Sequence, residues 1–293
     1  VDSLQGFGEH AEQTLQLREA IAQLRFAQGR TDEGEAELVA LVRDIETHGL
    51  QSMPIHLVAL NNLGVHHLML GHYAEAEPWL LRAQEAQSRQ SALDHSARND
   101  RANLTANLAQ VAHGLGQLDR AEALYAEAEA QLAELFPAGG PDVAILLNNR
   151  ALLALDRGAS EQALQLLRQS LAMREAVFDG DHPLVLGAMV SLGRHRLRFE
   201  DPAEAEALAA RAAGMAQRLG AGSRSMRVHA LLLWTRALSR LGRVAEADAR
   251  LIEAEVLLES EPALAEQHAQ DLTQQRAALC AEATGLPGCL RQR

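Results

Sequence analysis

Apolar residues return along this chain at every third or fourth position, in runs several turns long that are broken by short polar turns. That is the period of an α-helix with one buried face. The run IHLVALNNLGVHHLML follows Pro54, and YAEAEPWLLRAQEA begins two residues after Gly71. Leu60, Leu63 and Gly64, then Ala76, Leu80 and Ala83, fall on the apolar faces of this pair. Similar pairs follow one another through the sequence, each divided by an anchor residue: Gly29, Gly71, Gly116, Gly158, Glu200 and Gly242, spaced by 42, 45, 42, 42 and 42 residues.

Five residues after each anchor stands a very small residue (Gly34, Ala76, Ala121, Ala163, Ala205, Ala247). Seven residues before it stands another (Ala22, Gly64, Ala109, Ala151, Gly193, Thr235). Small residues on both sides of a turn let two antiparallel helices approach closely, so each period predicts one helical hairpin. A single hairpin cannot bury its apolar face, and stacked neighbours supply the missing contact. The expected fold is therefore an all-α solenoid of six hairpins over residues 1–259. A polar capping helix, about Ala263 to Ala283, is expected within a terminal segment 260–293.

Turn chemistry supports this division. Asp201 ahead of Pro202 reads as an N-cap followed by a first-turn proline, and Asp181 ahead of His182 and Pro183 reads the same way. Pro137 to Gly140 reads as the loop between the third and fourth hairpins.

The segments from Leu60 to Ala83, Ala106 to Ala128 and Leu146 to Leu171 resemble tetratricopeptide repeats. The 42-residue period and the Asp181-His182-Pro183 triplet are similar to the subclass found in kinesin light chains and in many bacterial proteins, including arrays attached to Ser/Thr kinases. The resemblance spans about Gln13 to Glu259. It implies a right-handed superhelix in which the first helix of each hairpin lines a concave groove and the second faces outward. It also implies a non-catalytic scaffold for protein or peptide partners, with no cofactor.

Composition narrows the partner. The net charge is −12 and aromatics are 3% of the 293 residues, which disfavours a phosphate-backbone ligand, so nucleic acid is not expected. No apolar stretch is long enough to insert into a membrane. All 27 basic residues are arginine, as in a GC-rich bacterial source. The chain starts at Val1 without a methionine and reads as an excised fragment. Its missing secretion signal therefore leaves the compartment open, with a bacterial cytoplasm the first expectation. Cys280 and Cys289, with Gly285, Pro287 and Gly288 between them, would close a small disulfide loop in an oxidising compartment and stay as thiols in a reducing one.

Charge supplies the candidate site. The first helices of the fifth and sixth hairpins hold Arg194, Arg196, Arg198, Arg224, Arg227, Arg236 and Arg240 and no acid, whereas the second helices carry the acids. Arg194 and Arg198 share one helix face, and Arg236 and Arg240 repeat that pair one period later. Guanidinium forks suit carboxylates, so these four predict affinity for an acidic peptide; the alternative is pairing with acids of adjoining repeats. Asn62, Asn107 and Asn149, each nine residues before an anchor, occupy a place where arrays of this kind bond a peptide backbone, with Gln110 beside Asn107; here the alternative is bonding between helices. His66, His67 and His72 lack metal-ligand spacing, and no phosphate loop or nucleophile elbow occurs. The leading reading is a scaffold for an extended acidic segment. A regulatory sensor module or a self-association module are its alternatives.

Overall fold

The computed structural model describes residues 8–89, 94–199, 201–259, 261–283 and 285–290, and among these it contains fourteen α-helices, one 3-10 turn and no strand. They fall into two compact units, 1–138 and 139–293. The first unit comprises α1 (Gly8–Ala27), α2 (Thr31–Thr47), α3 (Pro54–Met69), α4 (Tyr73–Ser88), α5 (His95–Gly114) and α6 (Leu118–Leu135). The second comprises α7 (Pro141–Asp156), α8 (Ser160–Val177), α9 (Pro183–Arg198), α10 (Pro202–Leu219), α11 (Arg224–Arg240), α12 (Val244–Leu258), α13 (Pro262–Glu282) and the short α14 (Pro287–Leu290).

Within each unit, odd and even helices pair as antiparallel hairpins, and each odd helix also packs on the even helix before it. Odd helices touch one another too: α1 with α3, α3 with α5, α9 with α11, and α11 with α13. The turns follow from the anchors. Gly29, Gly71, Gly116, Gly158 and Gly242 adopt φ between +73° and +77°, the left-handed conformation that ends a helix most readily at glycine. Glu200, the fifth anchor, lies outside the described residues.

The small residues flanking each anchor sit where the hairpin partners meet. Ala76, Ala121, Ala163, Ala205 and Ala247 are fully buried, as are Ala22, Ala109 and Ala151 on the opposing helices. At Gly64 an added Cβ would lie 2.4 Å from the Leu80 side chain of the hairpin partner α4; at Gly193 it would lie 2.8 Å from Leu233 Cδ2 of α11, the odd helix of the next hairpin, so both positions exclude a methyl group without repacking.

Capping follows expectation at α10, where Asp201 accepts from Glu204 N–H at 3.0 Å. It departs at α9. There His182 is the cap, its Nδ1 accepting from Leu184 N–H at 3.2 Å. Asp181 instead takes Arg218 in a two-point pair at 2.6 and 2.8 Å. A side chain one residue further out reaches a neighbouring helix more easily than the helix start that follows it.

Two buried arginines organise the second unit. Arg174 of α8 donates to Leu184 O at 2.7 Å and to Ala144 O at 3.3 Å, and Ser170 donates to the same Ala144 carbonyl at 2.7 Å. Burial pushes the Arg174 pKa below its usual value. Arg276 of α13, 1% exposed, pairs with buried Asp248 and, at 2.8 Å, with Glu255, both on α12. The second Asp248 oxygen accepts from Gly288 N–H of α14 at 3.2 Å. Cys280 and Cys289 are joined, tying α13 to α14 with Cα atoms 5.7 Å apart.

Candidate functional site

The odd helices α9 and α11 carry the predicted arginines: Arg194 feels the charge of Arg236, and Arg236 and Arg240 line one cleft. Arg194 and Arg198 stand on the last two turns of α9, and Arg236 and Arg240 stand at the same register on α11. Arg194 is solvent-exposed, yet desolvation and then the nearby charge of Arg236 hold its pKa below the usual value.

The seven arginines divide by partner. Arg196 pairs with Asp201 and, at 2.7 Å, with Glu204; Arg224 pairs with Glu261 at 2.6 Å, and Arg227 with Glu253 at 2.5 Å. Arg236 pairs with Asp271 of α13. Arg194, Arg198 and Arg240 form no ion pair among the described residues, although Arg198 lies over the Phe199 ring at 5.6 Å.

The capping helix therefore corrects one expectation: acid is not confined to the outer layer. Helix α13 takes a place in the odd-helix row and presents Asp271, Gln274, Gln275 and Glu282 to the wall. With Arg236, Ser239 and Arg240 these line a cleft of about 510 Å³ between α11 and α13. Gln275 is buried; its Nε2 donates to Asp271 at 2.8 Å while its Oε1 has no partner. On the same two helices, α11 and α13, the rings of His229 and His268 meet edge to face with centroids 4.7 Å apart. Burial, then Arg194, then His268 push the His229 pKa down to about 4 against a smaller opposing pull from Asp271.

The predicted amides are distributed differently. Asn149 lies on α7 in the second unit, while Asn62, Asn107 and Gln110 lie in the first. Asn62 donates to Glu19 of α1 at 2.7 Å, the helix-to-helix alternative. Asn107, Gln110 and Asn149 are half-buried and form no side-chain hydrogen bond among the described residues. A cleft of about 260 Å³ between α3, α4 and α5 gathers Asn61, Asn62, Gln87, Asp100 and Asn103 instead of Asn107. Sequence reasoning missed Asn61, Gln87 and Asn103. Asn103 lies one helical turn before Asn107, and equal distance from an anchor does not place two residues side by side on staggered neighbouring helices.

His66 and His67 share one carboxylate of Glu35, at 3.5 and 3.4 Å, and Phe26 stacks on His66. Among the described residues no cluster of three or more His, Cys, Asp or Glu can hold a metal, and no helix is long and apolar enough to cross a membrane.

The tetratricopeptide-repeat family model matches residues 100–176 and 142–218, which run from within α5 to near the end of α10 and so cover most of three hairpins. The chain carries tetratricopeptide repeats. Tetratricopeptide arrays are in general non-catalytic scaffolds, and the fold of this one fits protein interaction. No curated protein matches the chain in sequence. Among solved structures it is similar to BtubC (BKLC) from P. vanneervenii, with 18% identity, TM-score 0.60, and coverage of 84% of this chain and 91% of that one. It is also similar to a putative kinesin light chain repeat protein of Podosopora anserina, with 20% identity, TM-score 0.56, and coverage of 70% and 95%. A Rap conjugation gene regulator of plasmid pLS20, solved with the Phr* peptide, matches at 13% identity and TM-score 0.63 over 96% of this chain and 80% of that one. At these identities the likeness is one of fold.

Proposed function

We propose that this repeat array is a non-catalytic scaffold and that the α9–α11–α13 wall binds an extended peptide or partner segment bearing carboxylates. The observation that carries the reading is the division among the arginines. Three guanidinium groups on α9 and α11, Arg194, Arg198 and Arg240, form no ion pair among the described residues, whereas Arg196, Arg224 and Arg227 are paired. Arginine at a wall, beside a cleft with free amide oxygen, suits an acidic side chain and the adjoining peptide group. Arg236 contributes less, because Asp271 already occupies it. Asn149, Asn107 and Gln110 are candidates for backbone contacts in their own units. The peptide in the pLS20 regulator structure supports a second, regulatory form of the same reading, in which occupancy of the wall changes the state of an attached domain.

The test uses a fluorescein-labelled Gly/Ser decapeptide with alternating glutamates and its glutamine counterpart. Fluorescence anisotropy should show binding of the acidic probe that weakens as salt rises. The triple variant Arg194→Glu, Arg198→Glu, Arg240→Glu should bind it about tenfold or more weakly, each lost charge-assisted bond being worth about 1.5–3 kcal/mol before solvent screening. Equal binding by the triple variant and the parent would sink the reading.

A further inference from the structure

The cleft between α3, α4 and α5 holds an arrangement that the arginine wall does not explain. Gln87 on the last turn of α4 is only 5% exposed, and among the described residues its Nε2 has no acceptor. Asn61 of α3 lines the same cleft, and among the described residues its buried Oδ1 has no donor. Asn62, next in sequence, has already given its amide to Glu19. A buried amide without a partner costs about 1–3 kcal/mol, and here one donor and one acceptor carry that cost on two residues that line a single cleft. The cleft, about 260 Å³, has room for far more than one ordered water, and Leu57, Val58 and Leu104 supply an apolar lining that water does not satisfy.

We propose that this cleft is a binding site for an uncharged carboxamide on an aliphatic stem, the chemistry of a glutamine or asparagine side chain. The ligand carbonyl accepts from Gln87 Nε2, its NH₂ donates to Asn61 Oδ1, and its methylene carbons lie against Leu57, Val58 and Leu104. A carboxylate is disfavoured by the Asn61 oxygen and by the Asp100 charge in the same cleft. An ammonium or guanidinium leaves the Gln87 donor unanswered. An aliphatic side chain leaves both amides unanswered. This site stands apart from the acidic-peptide reading: it lies wholly in the first unit and uses none of the arginines of the second.

The experiment is a nuclear magnetic resonance titration of the full chain with N-acetyl-L-glutamine N-methylamide, run beside its glutamate and norleucine counterparts and beside free L-glutamine. The glutamine probe should give saturable shifts at the side-chain amides of Gln87 and Asn61, with affinity about tenfold or more above that of the glutamate and norleucine probes. A response to the capped probe that exceeds the response to free L-glutamine assigns the carboxamide to a peptide residue; the reverse assigns it to the free amino acid. Gln87→Leu should abolish the response and raise the melting temperature, because a donor kept for a ligand is a cost to the empty fold. Absence of saturable shifts, equal response to the glutamate probe, or a lowered melting temperature in Gln87→Leu would each overturn the proposal.

Discussion

The two units carry the same hairpin with different inner walls. In the first, the odd helices α3 and α5 bring neutral amides to a cleft; in the second, α9 and α11 bring guanidinium groups to theirs. The residues that make the hairpins do not differ in the same way. Glycine anchors at φ near +74°, fully buried alanines five residues beyond them, and a small residue seven before recur in both. Helix pairing and helix-surface chemistry are thus encoded at separate positions of one period. The wall can be rewritten from repeat to repeat without disturbing the stack.

The comparison can be broken at its strongest point first. The second unit closes on an ionic cluster, and Arg276→Ala would strand Asp248 as a buried charge at a cost of about 3–5 kcal/mol. Urea unfolding would show this as a lowered midpoint. The paired replacement Asp248→Leu with Arg276→Met should recover most of the loss, and failure to recover would mean that packing, not charge, holds α13. The shared scaffold gives the next effect. Gly64→Ala in the first unit and Gly193→Ala in the second should each cost about 1–3 kcal/mol, since the first adds a methyl group against Leu80 of the hairpin partner α4 and the second adds one against Leu233 of the neighbouring odd helix α11. A neutral result at either position would show that the leucine there gives way to a methyl group and that the contact is not filled.

Acidity gives the smallest effect. His229 titrates near 4 in the fold against its usual 6.5, so the unfolded chain takes up the proton first, and stability falls as pH drops from about 6.5 to about 4 before levelling off. The groups facing it are Arg194 of α9 and His268 and Asp271 of α13, and His268 is depressed in the same direction. His229→Gln should remove about 1–2 kcal/mol of the wild-type loss between pH 7 and pH 4.5, measured from urea midpoints. An unchanged pH slope in the variant would place that ring in water.

Much of this was legible from residue order. The helix starts at Pro54, Tyr73 and Ser160 and the buried partners of each anchor follow from turn chemistry and from the spacing of small residues, because both act within one period. The ion pair between Arg236 and Asp271 was not legible. Asp271 lies on α13, beyond the last anchor, where no repeat fixes the register that turns it toward α11. The exchange of Asn107 for Asn103 in the amide cleft has a similar origin, since helix stagger is a property of packing that the sequence period does not record. The pairing of Asp181 with Arg218 belongs to the same class.

Arg174 has a metrical consequence. One guanidinium that keeps its proton grips carbonyls near the starts of α7 and α9, which fixes the stride between two successive odd helices. On the proposed reading, a peptide laid across them would meet Asn149 and Arg194 at a set interval, so the second unit would select for the spacing of a ligand's residues as well as their charge.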